Sequence, residues 1–532
     1  MRWLLVAVLA LPALGALVTA VLPSRAGRLS AAFAAALTLV AAVALGWSRS
    51  AGGTGRVRPW HELDLPWVPG LNLRFHLGVD GISYPLVVLT ALLTLLCCVY
   101  TLWTVPAGGR GSHLAALLLV IEVGIAGVFL SLDLVLFFVF FEVVLLPMYA
   151  VIAVWGGPGR RHAAQKFVLY TLLGSVLLLV GVFVVVANAG TADLVTLTTT
   201  GGGLARGTQL AAFILLALAF AVKSPLWPLH TWLPDAHTEA PTVGSVILAG
   251  VLLKMGTYGL LRVAVGVLPD AHTEAPTVGS VILAGVLLKM GTYGLIRVGV
   301  GVAPLGAHWA APVLGILAAA AILAGALICL RQTELKRLIA YSSVGHMGFV
   351  LLGIATLTPA GVQAALIGNV AHGVITGLLF FLAGAIKDRA HTGSLTELGG
   401  LRETAPGLSG ILGYAAIASL GLPGLAGFWG EAFAVLASIG VGGALWTTLG
   451  VLAAVGGALT AAYFLRLLRR VTHGPAAPPV AALADGRGLL TRGELWSWGP
   501  LVALALVLGL VPAAVVGLAA APVRALLEAV SA

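Results

Sequence analysis

The sequence predicts an all-α polytopic membrane protein of about 14 transmembrane helices, or about 15 if a duplicated segment also spans, built as two inverted five-helix repeats that each contain a discontinuous helix. Three observations predict it: the composition, a succession of apolar runs, and helix breakers inside two of those runs. Of 532 residues, 60% are hydrophobic and only 9% charged, too few charges to solvate a globular surface. Most runs are about 20 residues long, the length at which a helix rising ~1.5 Å per residue crosses a ~30 Å hydrocarbon core. They lack the polar alternation of a barrel wall, so helices rather than strands are implied.

In chain order, spans are expected at 3–22, 29–47, 82–104, 113–130, 133–154, 167–188 and 209–229. Two copies of one span follow at 243–264 and 278–299, then 311–330, 338–356, 362–385, 409–439, 445–468 and 498–520. The run from Trp3 to Leu22 is long for the apolar part of a signal peptide and lacks a cleavage site, so it reads as the first span. The polar connections near 48–80 and 469–497 read as ordinary loops. The chain therefore divides into 1–112 (helices 1–3), a first half at 113–267 (helices 4–8), a duplicate at 268–302, a second half at 303–468 (helices 9–13), and 469–532, a cytoplasmic loop with the last helix.

One interrupted span carries Lys223-Ser224-Pro225 with Pro228, the other Gly421-Leu422-Pro423-Gly424 before Gly427. Proline removes a backbone donor, and freed backbone groups at membrane depth survive only where protein or a watery cavity receives them. Paired broken helices mark a transport site between two inverted halves; two unrelated proline kinks are the structural alternative.

Residues 233–267, LPDAHTEAPTVGSVILAGVLLKMGTYGLLRVAVGV, recur as 268–302 with only Leu261→Ile296 and Ala264→Gly299 changed. Such identity is too high for an old structural repeat and indicates a recent in-frame duplication or a sequence-assembly error. With one copy spanning and the N-terminus outside, Lys and Arg concentrate in cytoplasmic loops, among them Arg160, Arg161, Lys166, Lys336, Arg337, Arg469 and Arg470. With both copies spanning, everything downstream inverts, and flipping the chain recovers nearly the same bias. Repeat logic is sharper: only an odd number of helices makes inverted halves, so one copy is expected to be surplus.

The net charge of +10 is scattered between apolar runs with no basic stripe, which fits loops on an anionic leaflet and argues against nucleic acid. Cys97, Cys98 and Cys329 lie in apolar runs without a ligand set, so no metal or redox centre is expected. No Gly-rich phosphate loop follows a strand, so direct binding of NADH or ATP is not expected.

Charges inside spans need a reason, because an unpaired ion in lipid costs ~3 kcal/mol or more. Glu142 sits in FFVFFEVVLLPMY, and Lys254 and its duplicate Lys289 lie ~10 residues, or ~15 Å, from either span end, beyond snorkelling reach. Lys223 precedes the first break and Glu431 follows the second; a snorkelling lysine and a carboxylate capping the restarted half-helix are their structural alternatives. His346 in YSSVGHMGFVLL and His372 in GNVAHGVITGLLFF are mid-span; hydrogen-bonded core histidine is the alternative. Together they make a proton path. Burial lowers a lysine's pKa and raises a carboxylate's, while pairing opposes both, so movement of Glu142 relative to Lys223 switches protonation. A proton would then pass by Lys254 or Lys289, His346 and His372 towards Glu431. Moving a charge against the potential requires ~2.3 kcal/mol per 100 mV, and nothing in the chain supplies it; a partner is implied.

GVDGISYPLVVLTALLT (78–94), FEVVLLPMY, KSPLWPLHTWLPDAHTEAPTVGSVILAGVLLKMGTYG (223–259), LKRLIAYSSVGHMGFV (335–350) and LPGLAGFWGE (422–431) resemble signature stretches of the antiporter-like subunits of respiratory NADH:quinone oxidoreductase (complex I). The likeness is greatest to the subunit M class, called subunit 4 in mitochondria. It runs over nearly the whole chain. It implies fourteen helices with helices 7 and 12 discontinuous, an essential Glu142–Lys223 pair, a central lysine at Lys254 or Lys289, an exit-side acid at Glu431, and His346 and His372 on a buried hydrophilic axis. It implies a translocase subunit of a bacterial inner (plasma) membrane complex, partnered by neighbouring antiporter-like subunits, with no cofactor of its own: NADH, FMN, iron–sulfur clusters and quinone belong to partner subunits. The duplication departs from the family pattern, since both copies cannot occupy the central position.

Rival readings are a subunit of a multi-subunit Na⁺/H⁺ antiporter, a hydrogenase-complex membrane subunit, and a passive membrane scaffold. Sodium favours oxygen ligands, whereas this axis is rich in lysine and histidine. A scaffold predicts dispensable buried charges, which their cost in lipid argues against.

Overall fold

A computed structural model describes residues 2–47, 57–199 except 58, 69, 71, 107, 157 and 158, then 204–223, 288–485 and 488–531. The chain opens with helices α1 (Arg2–Val21) and α2 (Ser24–Ala44), followed by strands β1 (His61–Val68) and β2 (Leu73–Val79) and helix α3 (Tyr84–Thr101). The first half contains α4 (Gly111–Leu130), α5 (Leu134–Val143), α6 (Leu145–Trp155), α7 (Arg160–Ala189), a short α8 (Leu194–Thr199) and α9 (Arg206–Lys223). It resumes at α10 (Leu288–Gly294), which continues as a π-helical stretch over Leu295–Val300. The second half contains α11 (Pro304–Arg331), α12 (Leu335–Ala355), α13 (Pro359–Ala390), α14 (Leu401–Thr404), α15 (Pro406–Ser419), α16 (Ala426–Val441) and α17 (Gly443–Thr472). The short α18 (Pro478–Ala481), then α19 (Arg492–Leu510) and α20 (Ala513–Ser531), complete the chain.

Eleven stretches among the described residues are long and apolar enough to cross a membrane. With α9 and the broken pair α15–α16 they account for all but one of the fourteen expected spans, and the last falls within 224–303, described only from Leu288. Small residues allow the helices to approach closely: a Cβ added at Gly15 would lie 2.4 Å from that of Ala34, which is why α1 and α2 pack so tightly.

The two halves repeat one construction. In the first, Leu134 N donates to Ala192 O (2.9 Å) and Leu194 N to Leu132 O (2.8 Å). In the second, Leu335 N donates to Gly393 O (2.9 Å) and Leu395 N to Thr333 O (2.7 Å). The sequence offset between the paired segments is the same in both. Each latch sits where a helix starts, and an acid caps that start: Asp133 Oδ1 accepts from Val135 and Leu136, and Glu334 accepts from Arg337.

Two expectations about connections are corrected. The loop at 48–80 contains an antiparallel hairpin, with His61 opposite Val79 and an irregularity between Pro66 and Val68. Its turn uses Asn72 at φ 51°, a left-handed conformation that asparagine tolerates. His76 clips the hairpin to the first half, its Nδ1 2.7 Å from Asp193 Oδ1 and its Nε2 2.6 Å from Glu62 Oε1. The expected last span, 498–520, is two helices. Pro512 cannot continue a hydrogen-bonded helix and holds Val511 away from helical geometry (φ −129°, ψ 65°), ending α19 at Leu510. The following α20 is amphipathic, burying Val515, Ala519, Val523 and Leu526 along one face.

Candidate functional site

Three of the residues singled out by sequence converge in the second half. His346 lies on α12 about 16 Å of helical rise from its start, near the middle of a span. His372 lies on α13, and Glu431 on α16, just past the break. There Gly421 (φ 76°) and Gly424 (φ 88°) flank Pro423. Both glycines are left-handed, a conformation that turns the chain sharply between α15 and α16. Glu431 lies in the second turn of the restarted half-helix and faces the break, since a Cβ added at Gly421 would lie 3.1 Å from its Oε2.

His346 Nδ1 is 2.6 Å from Glu431 Oε1, and Ser419 Oγ is 3.0 Å from His346 Nε2. The His346 and His372 rings stand 5.5 Å apart between centroids, edge to face. The four side chains line one cavity of about 20 Å³ together with Gly368, Gly430 and Thr376, room for about one water molecule. Close approach of α13 and α16 shapes it, since a Cβ added at Gly430 would lie 2.5 Å from Gly368 Cα.

This geometry lets an imidazole gain and lose a proton without moving heavy atoms. With His346 neutral and Nδ1–H donating to Glu431, Nε2 accepts from the Ser419 hydroxyl. With His346 protonated, Nε2–H donates to the same oxygen, because a hydroxyl both donates and accepts. Both states are satisfied, which removes much of the penalty that a buried, half-bonded group carries.

The first half is less fully described. Glu142 is half-buried at the end of α5, where the helix is interrupted at Val144. Pro147 supplies the reason: it has no N–H to give to the Val143 carbonyl. Lys223 is the last residue of α9 and Lys289 belongs to α10; their side chains, and Lys254 entirely, lie outside the described residues. The Glu142–Lys223 pair therefore stays an expectation.

The structure also shows residues that sequence reasoning missed. Glu122 on α4 is 1% exposed, and neither carboxyl oxygen has a hydrogen-bond partner among the described residues. The rule that singled out Glu142, a carboxylate deep in an apolar run, applied equally to AALLLVIEVGIAG. Lys336, expected in a cytoplasmic loop, is instead buried in the first turn of α12, and its ammonium makes no hydrogen bond among the described residues. The apolar run starts immediately beside it, so the helix end sinks with its lysine. Ser419 carries no mark in sequence, because a lone serine before a break is common. Asp80, in the GVDGIS stretch, is wholly buried and paired with Arg297.

Comparison with known proteins fits this arrangement. The family described as "NADH:quinone oxidoreductase/Mrp antiporter, TM" matches residues 131–267 and 267–457, once on each side of the boundary between the two copies. The chain is 39% identical over 474 residues to "NADH-quinone oxidoreductase subunit M" of Rhodobacter capsulatus, covering 86% of this chain and 82% of that one. It is 40% identical over 434 residues to "NAD(P)H-quinone oxidoreductase chain 4 1" of Synechococcus sp., covering 81% and 75%. A chain of respiratory complex I from Thermus thermophilus superposes with a TM-score of 0.81 at 28% identity over 99% of both chains. Residues 131–457 thus belong to a match spanning most of the molecule, and the chain is a member of the NADH:quinone oxidoreductase/Mrp antiporter transmembrane family.

Proposed function

We propose that this chain is a proton-translocating membrane subunit of an NADH:quinone oxidoreductase, driven by redox chemistry in other subunits and seated among antiporter-like neighbours in a bacterial cell membrane. NADH, FMN, iron–sulfur clusters and quinone belong to those other subunits. The observation that carries the reading is the His346–Glu431 hydrogen bond beside His372 and Ser419, a buried set of proton-exchanging groups at the break of α15–α16. Likeness to subunit M and chain 4 relatives supports the oxidoreductase context. In this reading Glu142, Lys223 and one of Lys254 or Lys289 load the proton in the first half, and His372, His346 and Glu431 pass it through the second.

The Na⁺/H⁺ antiporter reading is related in fold and family but less favoured, since the described axis offers imidazoles where sodium takes oxygens. The test is NADH-driven proton uptake by inverted membrane vesicles, with sodium replaced by choline and with Glu142→Gln. Uptake independent of sodium and lost in Glu142→Gln is expected. Uptake that requires sodium would move the chain to the antiporter reading, and full uptake in Glu142→Gln would remove the loading site.

A further inference from the structure

The C-terminal end of α1, the N-terminal end of α4 and the C-terminal end of α6 meet at one membrane face. α1 and α6 both pack on α4, and between them runs an open trench of about 600 Å³. We infer that this trench binds one anionic phospholipid, with an acyl chain lying along α4 and the phosphate held at its mouth by Arg110 and His113. The site stands apart from the proton path and does not rest on it.

The walls are apolar: Ala16 and Ala20 on α1, Leu117 and Val120 on α4, Ala150 and Val154 on α6. The alanines leave depth that larger side chains would fill, and the exposed Leu17 and Val154 edge the opening, which faces outward from the chain. Length decides the occupant. Along α4 the trench runs from His113 to Val123, about 15 Å of helix and so half of a ~30 Å hydrocarbon core. That is the depth of one leaflet, which suits an acyl chain, whereas a neighbouring transmembrane helix would need a groove through both leaflets. The trench stops there because α5 covers the rest of α4. A Cβ at Gly124 would lie 2.4 Å from Val144 Cγ2, and one at Gly127 would lie 2.2 Å from the Phe140 ring. Interruption of the helix at Val144 lets α6 pack on α4 less extensively than α5 does, which opens the slot.

Charge supplies the headgroup. The polar side chains lining the trench, His113 and Trp155, both belong to the end where α4 starts and α6 stops, and tryptophan at a helix end marks headgroup level. Arg110 is exposed at the N-cap of α4, beside His113 in the next turn. Arg28 reaches the same end, since a Cβ at Gly111 would lie 3.0 Å from its Cδ. Its guanidinium donates to the carbonyls of Ser24, Thr101 and Leu102, and that of Arg160 to the Gly156 carbonyl. These acceptors are neutral and leave both charges standing. The segments that form this end bring no acid of their own, because the sequence has no Asp or Glu in 1–61, 81–121 or 143–192. A basic rim over an apolar slot one leaflet deep is complementary to a phosphate over an acyl chain.

The test places the full complex in nanodiscs containing phosphatidylglycerol with a photoreactive diazirine in its acyl chain, or the matched phosphatidylcholine, and maps labelled peptides by mass spectrometry. Phosphatidylglycerol is expected to label the trench segments of α1, α4 and α6 at least about fivefold more than phosphatidylcholine does. The exposed face of α7 serves as the reference and should show no such preference. Arg110→Gln with His113→Gln, both at the exposed rim, is expected to bring phosphatidylglycerol down to the phosphatidylcholine level in an equally assembled complex. Ala116→Leu with Ala150→Leu fills the floor and is expected to abolish trench labelling by both lipids while α7 is still labelled. Equal labelling by the two lipids at the level of α7 would overturn the site and leave ordinary lipid-facing surface. Labelling that survives the filled trench would overturn it too. So would an unlabelled trench in which a photocrosslinker at Leu17 captures a neighbouring subunit, which would then be the occupant.

Discussion

The two halves share one framework but differ in what encloses it. In the first half, the α5–α6 span is 44% buried within the chain and α7 39%; their second-half counterparts, α12 and α13, are each 94% buried. The latches and capped helix starts are alike, so the repeat itself does not set this difference. α12 packs against α11, α13, α16 and α17, all of its own half, while α13 packs in addition against α3, α19 and α20. Trp429 Nε1 donates to Gly509 O and Tyr414 Oη to Val502 O, fastening the broken helix to α19. On α7, by contrast, Leu169, Leu172, Leu173, Val176, Val180 and Phe183 stay exposed at helical spacing, a face suited to lipid tails or a neighbouring subunit. The comparison teaches that the repeat supplies a shared frame, onto which the second half adds the packing of α3, α19 and α20 against α13.

That contrast is most open to attack through packing. Gly430→Val places new carbon against the Gly368 backbone, and overpacking at a rigid contact is expected to cost about 3 kcal/mol. In the first half, a Cβ at Gly181 meets side chains alone, Leu216 at 3.0 Å and Leu215 Cβ at 3.4 Å, so Gly181→Ala is expected to cost less than about 1 kcal/mol. Thermal unfolding of the purified complex compares the two; equal costs would mean that the halves are equally sealed.

A smaller effect is expected from Ser419→Ala, which leaves His346 Nε2 without its hydroxyl in both protonation states. Proton uptake should fall about fivefold, in line with the cost of one unsatisfied buried group, and its pH profile should shift. A change in stability with unchanged uptake and pH profile would make Ser419 structural only.

The smallest effect concerns the hairpin clip on the first half. Burial pushes His76 down, but hydrogen bonds and charge from Asp193, with the Glu62 bond, outweigh it and hold its pKa above the usual value. For Asp193, burial raises the pKa, while the His76 bond and the Thr196 hydroxyl and N–H bring it below the usual carboxylate range. A raised histidine contributes stability fully below its unfolded pKa of ~6.5 and loses it as pH rises through the folded value. A depressed aspartate contributes above ~3.9 and loses it as pH falls through its lowered value. Amide exchange in β2 is therefore expected to be slowest near pH 5–6 after correction for intrinsic rates and to quicken in alkali, by about 1 kcal/mol of protection. Protection that grows with pH would contradict the clip.

Much of this molecule was legible in the sequence, for definite reasons. Apolar length gave the spans, and the breakers at Gly421–Gly424 gave the α15–α16 interruption. Mid-span position singled out His346, His372 and Glu431, which the fold brings to one cavity. The hairpin was missed because its alternation is short and carries Pro66, and α20 because Pro512 sits in an otherwise continuous apolar run. Asp80 and Arg297 escaped because each reads as an ordinary charge near a span end; only the fold shows that the chain brings them together.

The central claim is that protons pass through the His346–Glu431 hydrogen bond, and its most direct test is proton uptake per NADH oxidised in inverted vesicles carrying Glu431→Gln. Glutamine keeps the shape and a hydrogen-bond acceptor but cannot take up a proton, so uptake is expected to fall at least about tenfold while the complex still assembles. Unchanged uptake per NADH in an assembled Glu431→Gln complex would contradict the account.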